Sequence, residues 1–355
     1  MRSVLVIIGA GASYDLIPYH ASAGKDIGYS NAGLRPPLTQ DVFRDDDQTR
    51  EILDDYQGAR NLTAMIRLEL LRGKQLEPLL LEYSRATTEP LAGEFLEIPL
   101  YLQQFFGMLS GFTNQATNYQ ILAHKLFRSD FDKIVFVTTN YETLLDDVLI
   151  PDYFRIRLQN VGAYCQPHCM LIKLHGSVNW VRSFSMDVGT TFNTADGYLD
   201  HLRDIGSQEL RHILRTEIEL RDPKAPPMVW DDPAGPGVMK FYYPALSVPL
   251  GEYDLGFSCP DAHVRELKAA LPHCKNVLAI GTSARDNDLL MLLTEGLPKP
   301  ATCFHAVDAT ADAAYSTVKN FSHVPQLGVH HGLHSEGFSQ FILGDGLDQF
   351  IESCD

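Results

Sequence analysis

The chain has 355 residues, 45% hydrophobic, 10% aromatic and 21% charged, a composition that sets aside disordered, collagen-like and coiled-coil proteins. Its longest apolar runs, such as Val4 to Ile8 and Ile134 to Val137, fall far short of the ~20 residues needed to span a bilayer. Lys and Arg total 29 against 45 for Asp and Glu, a formal charge of −16, which repels a phosphate backbone and argues against nucleic acid as the main ligand. Six cysteines, the first at Cys165, lack a framework spacing, which predicts reduced thiols and a cytoplasmic protein. The residues after Met1 contain no long apolar leader segment, in keeping with that expectation.

Val4 to Ile8 read as a buried strand, and Gly9-Ala10-Gly11-Ala12-Ser13 turns the chain after it, the opening of an α/β fold. Tyr14 to Gln40, rich in Gly, Pro, Ser and Asn, is expected to be a long loop or lid. From Asp41 to Arg128 apolar residues recur at helical spacing, as in Leu62, Met65, Ile66 and Leu70 and again from Leu91 to Leu109. Pro78, Pro90 and Pro99 divide this stretch into shorter helices. Ile134 to Val137 form a second strand, followed by a polar turn and a helix from Leu144 to Leu149 stopped by Pro151. Leu171 to Leu174 form a third strand, and Asn179 to Val181 continue into a small sheet. An amphipathic helix is expected near Gln208 to Leu220 and a Pro-rich loop from Asp222 to Pro236. Tyr242 to Leu250 read as mixed strand or turn, Asp261 to Leu271 as helix, and Asn276 to Ile280 as strand. Leu289 to Leu293 lie in a helix, Cys303 to Val307 form a strand ending at Asp308, and Phe338 to Ile351 close the chain as a terminal helix. The predicted fold is α/β, a Rossmann-like, mostly parallel sheet with an inserted helical subdomain. Its core covers about 1–40, 130–183 and 240–355, with a helical insertion at 41–128 and an irregular one at 184–237, all within a single domain 1–355.

Four polar clusters follow apolar strands directly: Gly9 to Ser13, Thr138 to Glu142, His175 to Ser177 and Gly281 to Ser283. Ligands of open parallel sheets bind at the carboxyl ends of strands, so the four clusters are expected to converge. Glycines let backbone N–H groups approach a pyrophosphate, although the first cluster also reads as a tight structural turn. An ordinary dehydrogenase fingerprint asks for a third glycine where Tyr14 stands and an acidic residue about 20 residues on, and neither is there. Asn140 can hold a ribose, a carboxamide or a water, or cap the next helix. His175 suits general base work on a hydroxyl or water, or serves structure alone. His323, His330, His331 and His334 complete no metal-ligand spacing and read as a surface loop, and Asp45 to Asp47 as a solvated turn. Serine hydrolase, P-loop and zincin motifs do not occur.

In this order and spacing, Gly9-Ala10-Gly11-Ala12-Ser13, Thr138-Thr139-Asn140-Tyr141-Glu142, Leu174-His175-Gly176-Ser177 and Gly281-Thr282-Ser283 resemble the sirtuin-like domain, over residues 3 to about 310. Pro36-Pro37-Leu38-Thr39 and Arg285-Asp286-Asn287-Asp288 look more like its NAD-cleaving branch from bacterial anti-phage defence than like the protein deacylases. The resemblance implies that Gly9, Ala10, Gly11, Ala12 and Ser13 hold the diphosphate of NAD. It implies that Thr282 and Ser283, with Gly281, contact phosphate or the adenine-side ribose, and that Asp308 grips the adenosine ribose. Thr139 and Glu142 fall on the nicotinamide side, with Glu142 standing where many relatives carry Asp. Asn140 would position water or the nicotinamide ribose, and His175 would act as base.

Deacylase sirtuins carry two Cys-x-x-Cys pairs after the catalytic histidine, whereas the only close pair here, Cys165 and Cys169, precedes His175, so no zinc is expected. The family's Gly-Ile-Pro-Asp-Phe-Arg segment is echoed only by Ile17-Pro18-Tyr19. The resemblance therefore implies an NAD glycohydrolase yielding nicotinamide and ADP-ribose, the NAD-depleting effector of an abortive-infection system. Control is expected through a homo-oligomer or a separate activator, such as a HerA-type ATPase or an Argonaute-like protein. Alternatives are an NAD-dependent deacylase or ADP-ribosyltransferase, and a catalytically silent sensor of NAD or ADP-ribose.

Overall fold

Val4 to Ile8 carry no polar side chain and are fully buried, as a strand covered on both faces of a parallel sheet must be. The structure, a computed structural model, describes residues 2–16, 36–85, 91–111, 116–187, 197–199, 216–225, 228–230, 238–248, 258–299 and 303–354. Its strands are β1 (Ser3–Ile8), β2 (Lys133–Thr138), β3 (Cys169–Lys173), β4 (Gly176–Asp187), β5 (Ile218–Leu220), β6 (Met228–Trp230), β7 (Val238–Leu246), β8 (Asn276–Ile280), β9 (Cys303–Val307) and β10 (Gly332–His334).

These strands form two sheets. The first has six strands in the order β10-β9-β8-β1-β2-β3, every neighbouring pair parallel. The chain builds outward from β1 to β3, returns to the other side of β1 at β8, and builds outward again. This is the doubly wound Rossmann order, with its topological switch point between β1 and β8. The predicted α/β class is thus the observed one.

The chain divides into two compact units, the first made of Met1–Leu38, Leu109–His175 and Asp254–Asp355, the second of Thr39–Met108 and Gly176–Tyr253. The first unit holds the parallel sheet and its helices. Thr117–Arg128 buries Tyr119, Leu122, Ala123 and Leu126 and carries Lys125 and Arg128 in its last turn, where cations suit the helix dipole. Asn287–Gly296 begins at Asp286, whose side chain accepts the Leu289 amide, and Ala311–Phe321 begins at Thr310, which caps through the Ala313 amide.

The second unit pairs an antiparallel sheet, β5-β4-β7-β6, with helices between Asp47 and Leu109. Leu100, Tyr198, Met239, Phe241 and Tyr243 form a core cluster. Buried Glu97 accepts the Gly58 and Ala59 amides at 2.6 and 3.0 Å, placing a carboxylate on the start of helix Gln57–Leu71. Asp46, part of the expected solvated turn, caps helix Asp47–Asp54 through the Thr49 amide. Met65, placed by its spacing with the apolar face, is 41% exposed.

Several local expectations change. The α-helix Leu144–Leu149 ends ahead of Pro151 as expected, but the chain then continues through a wide π-type turn, Ile150–Phe154, which is followed by Arg155 with φ +54°. The terminal helix is two helices, Gly337–Leu343 and Gly346–Ser353, because Gly344 takes an extended backbone between them and glycine disfavours the helix interior. Gly332 to His334, placed by sequence in a surface loop, add β10 to the sheet edge through backbone pairing with β9. Ile218 to Leu220, expected to end an amphipathic helix, pair with β4 as strand. The rest of that helix to residue 215, residues 17–35 of the expected lid, and parts of the Pro-rich loop (226–227, 231–236) and of the 242–250 stretch (249–250) lie outside the described residues.

Candidate functional site

Because the six strands are parallel, their carboxyl ends share one edge of the sheet. β1 is followed by Gly9, β2 by Thr139 and Asn140, β3 by Leu174 and His175, β8 by Gly281 and β9 by Asp308. The residues that sequence places in one site therefore stand side by side along this edge, flanking the switch point.

The two glycine turns pack backbone against backbone. Gly9 N donates to Ile280 O at 3.0 Å, Gly11 N to Gly281 O at 2.9 Å and Gly281 N to Val307 O at 2.9 Å. A Cβ on Gly9 would lie 2.5 Å from Gly281 O, and one on Gly281, whose φ is +57°, would lie 2.2 Å from Ala12 N. Glycine is required here first by the approach of the two turns, and the Gly9, Gly11 and Ala12 amides donate to backbone carbonyls. Ala10 is half-buried and Ala12 buried beside them.

Ser13, Asn140 and Glu142 form one buried network with Tyr119. Ser13 Oγ donates to Glu142 Oε1 at 2.5 Å and, its single proton being used, accepts from Asn140 Nδ2 at 2.9 Å and from Tyr119 Oη at 2.6 Å. The second Asn140 amide proton goes to Gly9 O at 3.1 Å. Asn140 thus ties the end of β2 to the glycine turn and does not cap the following helix, which begins at Thr143 without a side-chain cap. Thr138 Oγ1 donates to Ile8 O and accepts the Asn140 amide, while Thr139 is half-buried. Burial pushes the Glu142 carboxyl up, against the opposing effects of Lys173 and Ser13. Burial and the Glu142 charge push the Tyr119 phenol far up. Below the network, fully buried Lys173 donates to Glu142 O at 2.6 Å and to Asp146 Oδ2 at 2.9 Å, and Tyr164 Oη donates to Asp146 Oδ1 at 2.6 Å.

His175 follows β3, where the chain turns at Gly176 with φ +84°. Its Nε2 lies 2.7 Å from Asp286 Oδ2, both side chains being nearly buried, and Asp286 Oδ1 accepts the Leu289 amide at 2.9 Å. Burial raises the Asp286 carboxyl, but the adjacent His175 imidazole, with the Leu289 and Asp288 amides, outweighs it and holds the group below the usual Asp range. In the neutral imidazole a carboxylate beside Nε2 favours the proton on that nitrogen and the lone pair on Nδ1, the tautomer a base needs.

A cavity of about 410 Å³ opens in the first unit, lined among others by Gly11, Asp15, Gly281, Asp308, Gly337 and Ser339, a size that suits part of a nucleotide. Asp308 Oδ1 accepts the Ala309 amide at 2.8 Å, and Thr317 Oγ1 lies 3.3 Å from Oδ2. Burial raises the Asp308 carboxyl against these two bonds. Thr317 also donates to Thr282 O at 2.6 Å, and exposed Ser283 offers its carbonyl to Asn320. Ser13, Asn140, Glu142 and His175 are not among the residues lining this cavity.

Sequence reasoning missed Asp286 as the partner of His175, together with Tyr119, Lys173 and Asp146. The Asp286 signal was present as an N-cap ahead of an apolar helix at a strand end. Lys173, a lone cation in an otherwise apolar strand, predicts a buried carboxylate partner. Among the described residues, no group of three or more His, Cys, Asp or Glu could hold a metal ion, and no helix is long and apolar enough to cross a membrane.

No protein-family model and no curated protein matches the chain. Among solved structures, it is similar to a Sir2 homologue in complex with NAD, at 13% identity over 99% of this chain and 88% of that chain, with a TM-score of 0.43. It is similar to a mutant Sir2 homologue in complex with 2′-O-acetyl ADP ribose, at 14% identity over 99% and 90%, with a TM-score of 0.42. A structure addressing the mechanism and regulation of Sir2 enzymes matches at 12% identity over 99% and 92%, with a TM-score of 0.37. The α/β assignment rests on the strand order and pairing described above, independently of these likenesses.

Proposed function

We propose that the chain binds NAD at the carboxyl edge of the parallel sheet and cleaves its N-glycosidic bond, giving nicotinamide and ADP-ribose. The observation that carries this reading is the 2.7 Å approach of His175 Nε2 to the Asp286 carboxylate, on the sheet edge that also carries Asn140 and the glycine turns. In this reading the 410 Å³ cavity takes the adenosine end, with Asp308 accepting from a ribose hydroxyl. The glycine turns lie along the diphosphate, with Ala10, Ser13, Thr282 and Ser283 beside them, and Thr139 and Glu142 face the nicotinamide side.

Cleavage breaks the bond from ribose C1′ to the pyridinium nitrogen, the electron pair leaving with neutral nicotinamide. Asn140 orients the ribose or the attacking water, and His175 Nδ1 takes the proton of that water as it adds to C1′. Asp286 stabilises the imidazolium that results. Such an activity would deplete the cell's NAD, which fits a cytoplasmic effector of abortive infection held inactive until homo-oligomerisation or a separate activator, such as a HerA-type ATPase or an Argonaute-like protein, releases it.

The engagement of both Asn140 amide protons by Gly9 and Ser13 favours one second reading, a silent sensor of NAD or ADP-ribose. Purified full-length chain incubated with NAD, alone and with lysate from phage-infected cells, separates the two when nicotinamide and ADP-ribose are followed by chromatography. Cleavage lost in Asn140→Ala and His175→Ala supports the glycohydrolase. NAD binding without cleavage under either condition moves the assignment to the sensor, and turnover of an acylated peptide to a deacylase.

A further inference from the structure

Helix Thr117–Arg128 sets its first turn against the residues that follow the first glycine turn. Asn118 N donates to Leu16 O at 3.1 Å and Asn118 Nδ2 to Asp15 O at 2.6 Å. The next side chain, Tyr119, is fully buried, with its ring beside Phe338 at a centroid distance of 5.9 Å and its hydroxyl 2.6 Å from Ser13 Oγ. A phenol taken out of water needs a polar partner. The partner here is the same hydroxyl that meets the Asn140 amide.

A count of protons around Ser13 fixes what each group can offer. Gly9 O can only accept, so it is the nitrogen of the Asn140 amide that faces both Gly9 and Ser13. Ser13 Oγ gives its one proton to Glu142 and takes one from Asn140, which leaves a single lone pair. Tyr119, kept protonated by burial and by the Glu142 charge, donates to that lone pair. Ser13 is 1% exposed and, while this network holds, its hydroxyl has no bond to spare for a ligand. Among the described residues nothing donates to Asn140 Oδ1, so that oxygen is left to accept from a ribose hydroxyl or a water.

We propose that Tyr119 is a positioning residue: it fixes the Ser13 hydroxyl, and Ser13 in turn holds Asn140 with its amide oxygen toward the substrate, so that Tyr119 serves cleavage and not nucleotide binding. The inference rests on the glycohydrolase reading. Without the phenol proton, Ser13 Oγ keeps an unpaired lone pair in the interior and turns to seek another donor. Asn140 then loses a fixed partner on one side, and its oxygen is no longer held where the reacting groups need it. The phenol itself touches no substrate, because Ser13 stands between it and Asn140.

The test compares the full-length chain with Tyr119→Phe, which removes one oxygen and keeps the ring beside Phe338, with Ser13→Ala, and with the double variant. Under the condition that supports cleavage, Tyr119→Phe is expected to lower kcat about tenfold while KM for NAD and the affinity for ADP-ribose by calorimetry stay within about twofold. Added to Ser13→Ala, it is expected to cause no further loss, since Tyr119 acts through Ser13. A kcat within about twofold of wild type, a fall in ADP-ribose affinity that matches the fall in kcat/KM, or full additivity with Ser13→Ala overturns the proposal. Hydrogen exchange of the Asn140 side-chain amide, followed by nitrogen-15 NMR, reads the positioning without turnover. It is expected to be slow in the wild-type chain and about tenfold faster in Tyr119→Phe. Fast exchange in wild type, or equal rates in the two proteins, overturns the proposal, whereas the expected difference in a chain that cleaves no NAD supports the hold on Asn140 and retires the glycohydrolase reading alone.

Discussion

His175 Nε2 and Asp286 Oδ2 stand 2.7 Å apart, and the other oxygen of the same carboxylate holds the first turn of helix Asn287–Gly296. One side chain thus caps a helix that follows β8 and orients an imidazole that follows β3. Asp286→Asn keeps a capping oxygen for the Leu289 amide while removing the charge opposite His175. In the proposed reaction Asp286 is a positioning residue, and its substitution is expected to lower kcat for NAD cleavage by about 10²- to 10⁴-fold with little change in KM. Steady-state assay of nicotinamide release checks this. An unchanged kcat in a folded Asp286→Asn variant removes His175 from the role of base.

Gly281 and Gly73 both have positive φ, +57° and +86°, but a Cβ on Gly281 would meet Ala12 N at 2.2 Å whereas Gly73 has nothing within 4 Å. Alanine at Gly73 is expected to cost about 1 kcal/mol, the left-handed backbone strain alone. Alanine at Gly281 is expected to cost about 3 kcal/mol or more, because the obstacle is backbone that cannot rotate away. Urea midpoints of the two variants measure the difference. Equal losses would show that the two turns separate easily and that the close approach of Gly11 to Gly281 is not needed for stability.

That contrast marks what the sequence could and could not convey. The strand runs at Val4, Ile134, Leu171, Asn276 and Cys303 were legible because a strand buried on both faces is predominantly apolar, and five such runs with helical stretches between them already imply a parallel sheet. The polar residues after each run were legible as a shared edge. Which of those residues touch was not. Ser13 and Glu142 are 129 positions apart and His175 and Asp286 111, and nothing local to any of them encodes the partner. The glycine turns were read toward a phosphate, whereas their first obligation is to each other, since a glycine that admits a ligand and one that admits another backbone look alike in sequence. The strand Gly332–His334 was missed because its only sequence signal was histidines, and its place depends on β9.

Lys173 is fully buried with Asp146 as its charge partner. Lys173→Met leaves the Asp146 carboxylate uncompensated in the interior and is expected to cost about 3–5 kcal/mol. Adding Asp146→Asn, which can still accept from Tyr164 Oη, removes the stranded charge and is expected to restore at least about 1 kcal/mol, a coupling read from the double-mutant cycle. Strict additivity of the two substitutions in urea unfolding would mean that the pair is solvated in solution.

Glu142 supplies the pH dependence. Burial raises its carboxyl in the folded chain above the usual 4.5, so the folded state holds the proton more tightly than the unfolded state does. Below the unfolded value both states are protonated and the full stability is present. As pH rises past 4.5 the unfolded chain ionises first, and stability falls until the folded carboxyl has ionised too. At neutral pH the ionisable carboxyl is therefore held in the fold at a net cost, only partly offset by Lys173 and the Ser13 hydroxyl. Glu142→Gln keeps an oxygen to accept from Ser13 and removes that cost. The variant is expected to melt about 1–3 °C above wild type at pH 7.5 and to converge with it below pH 4.5 as the wild-type carboxyl takes up its proton. Thermal unfolding of the two proteins across that range checks the sign. A Glu142→Gln variant less stable than wild type at pH 7.5, with the gap closing in acid, would show that attraction to Lys173 outweighs desolvation and that the folded carboxyl lies below its usual value.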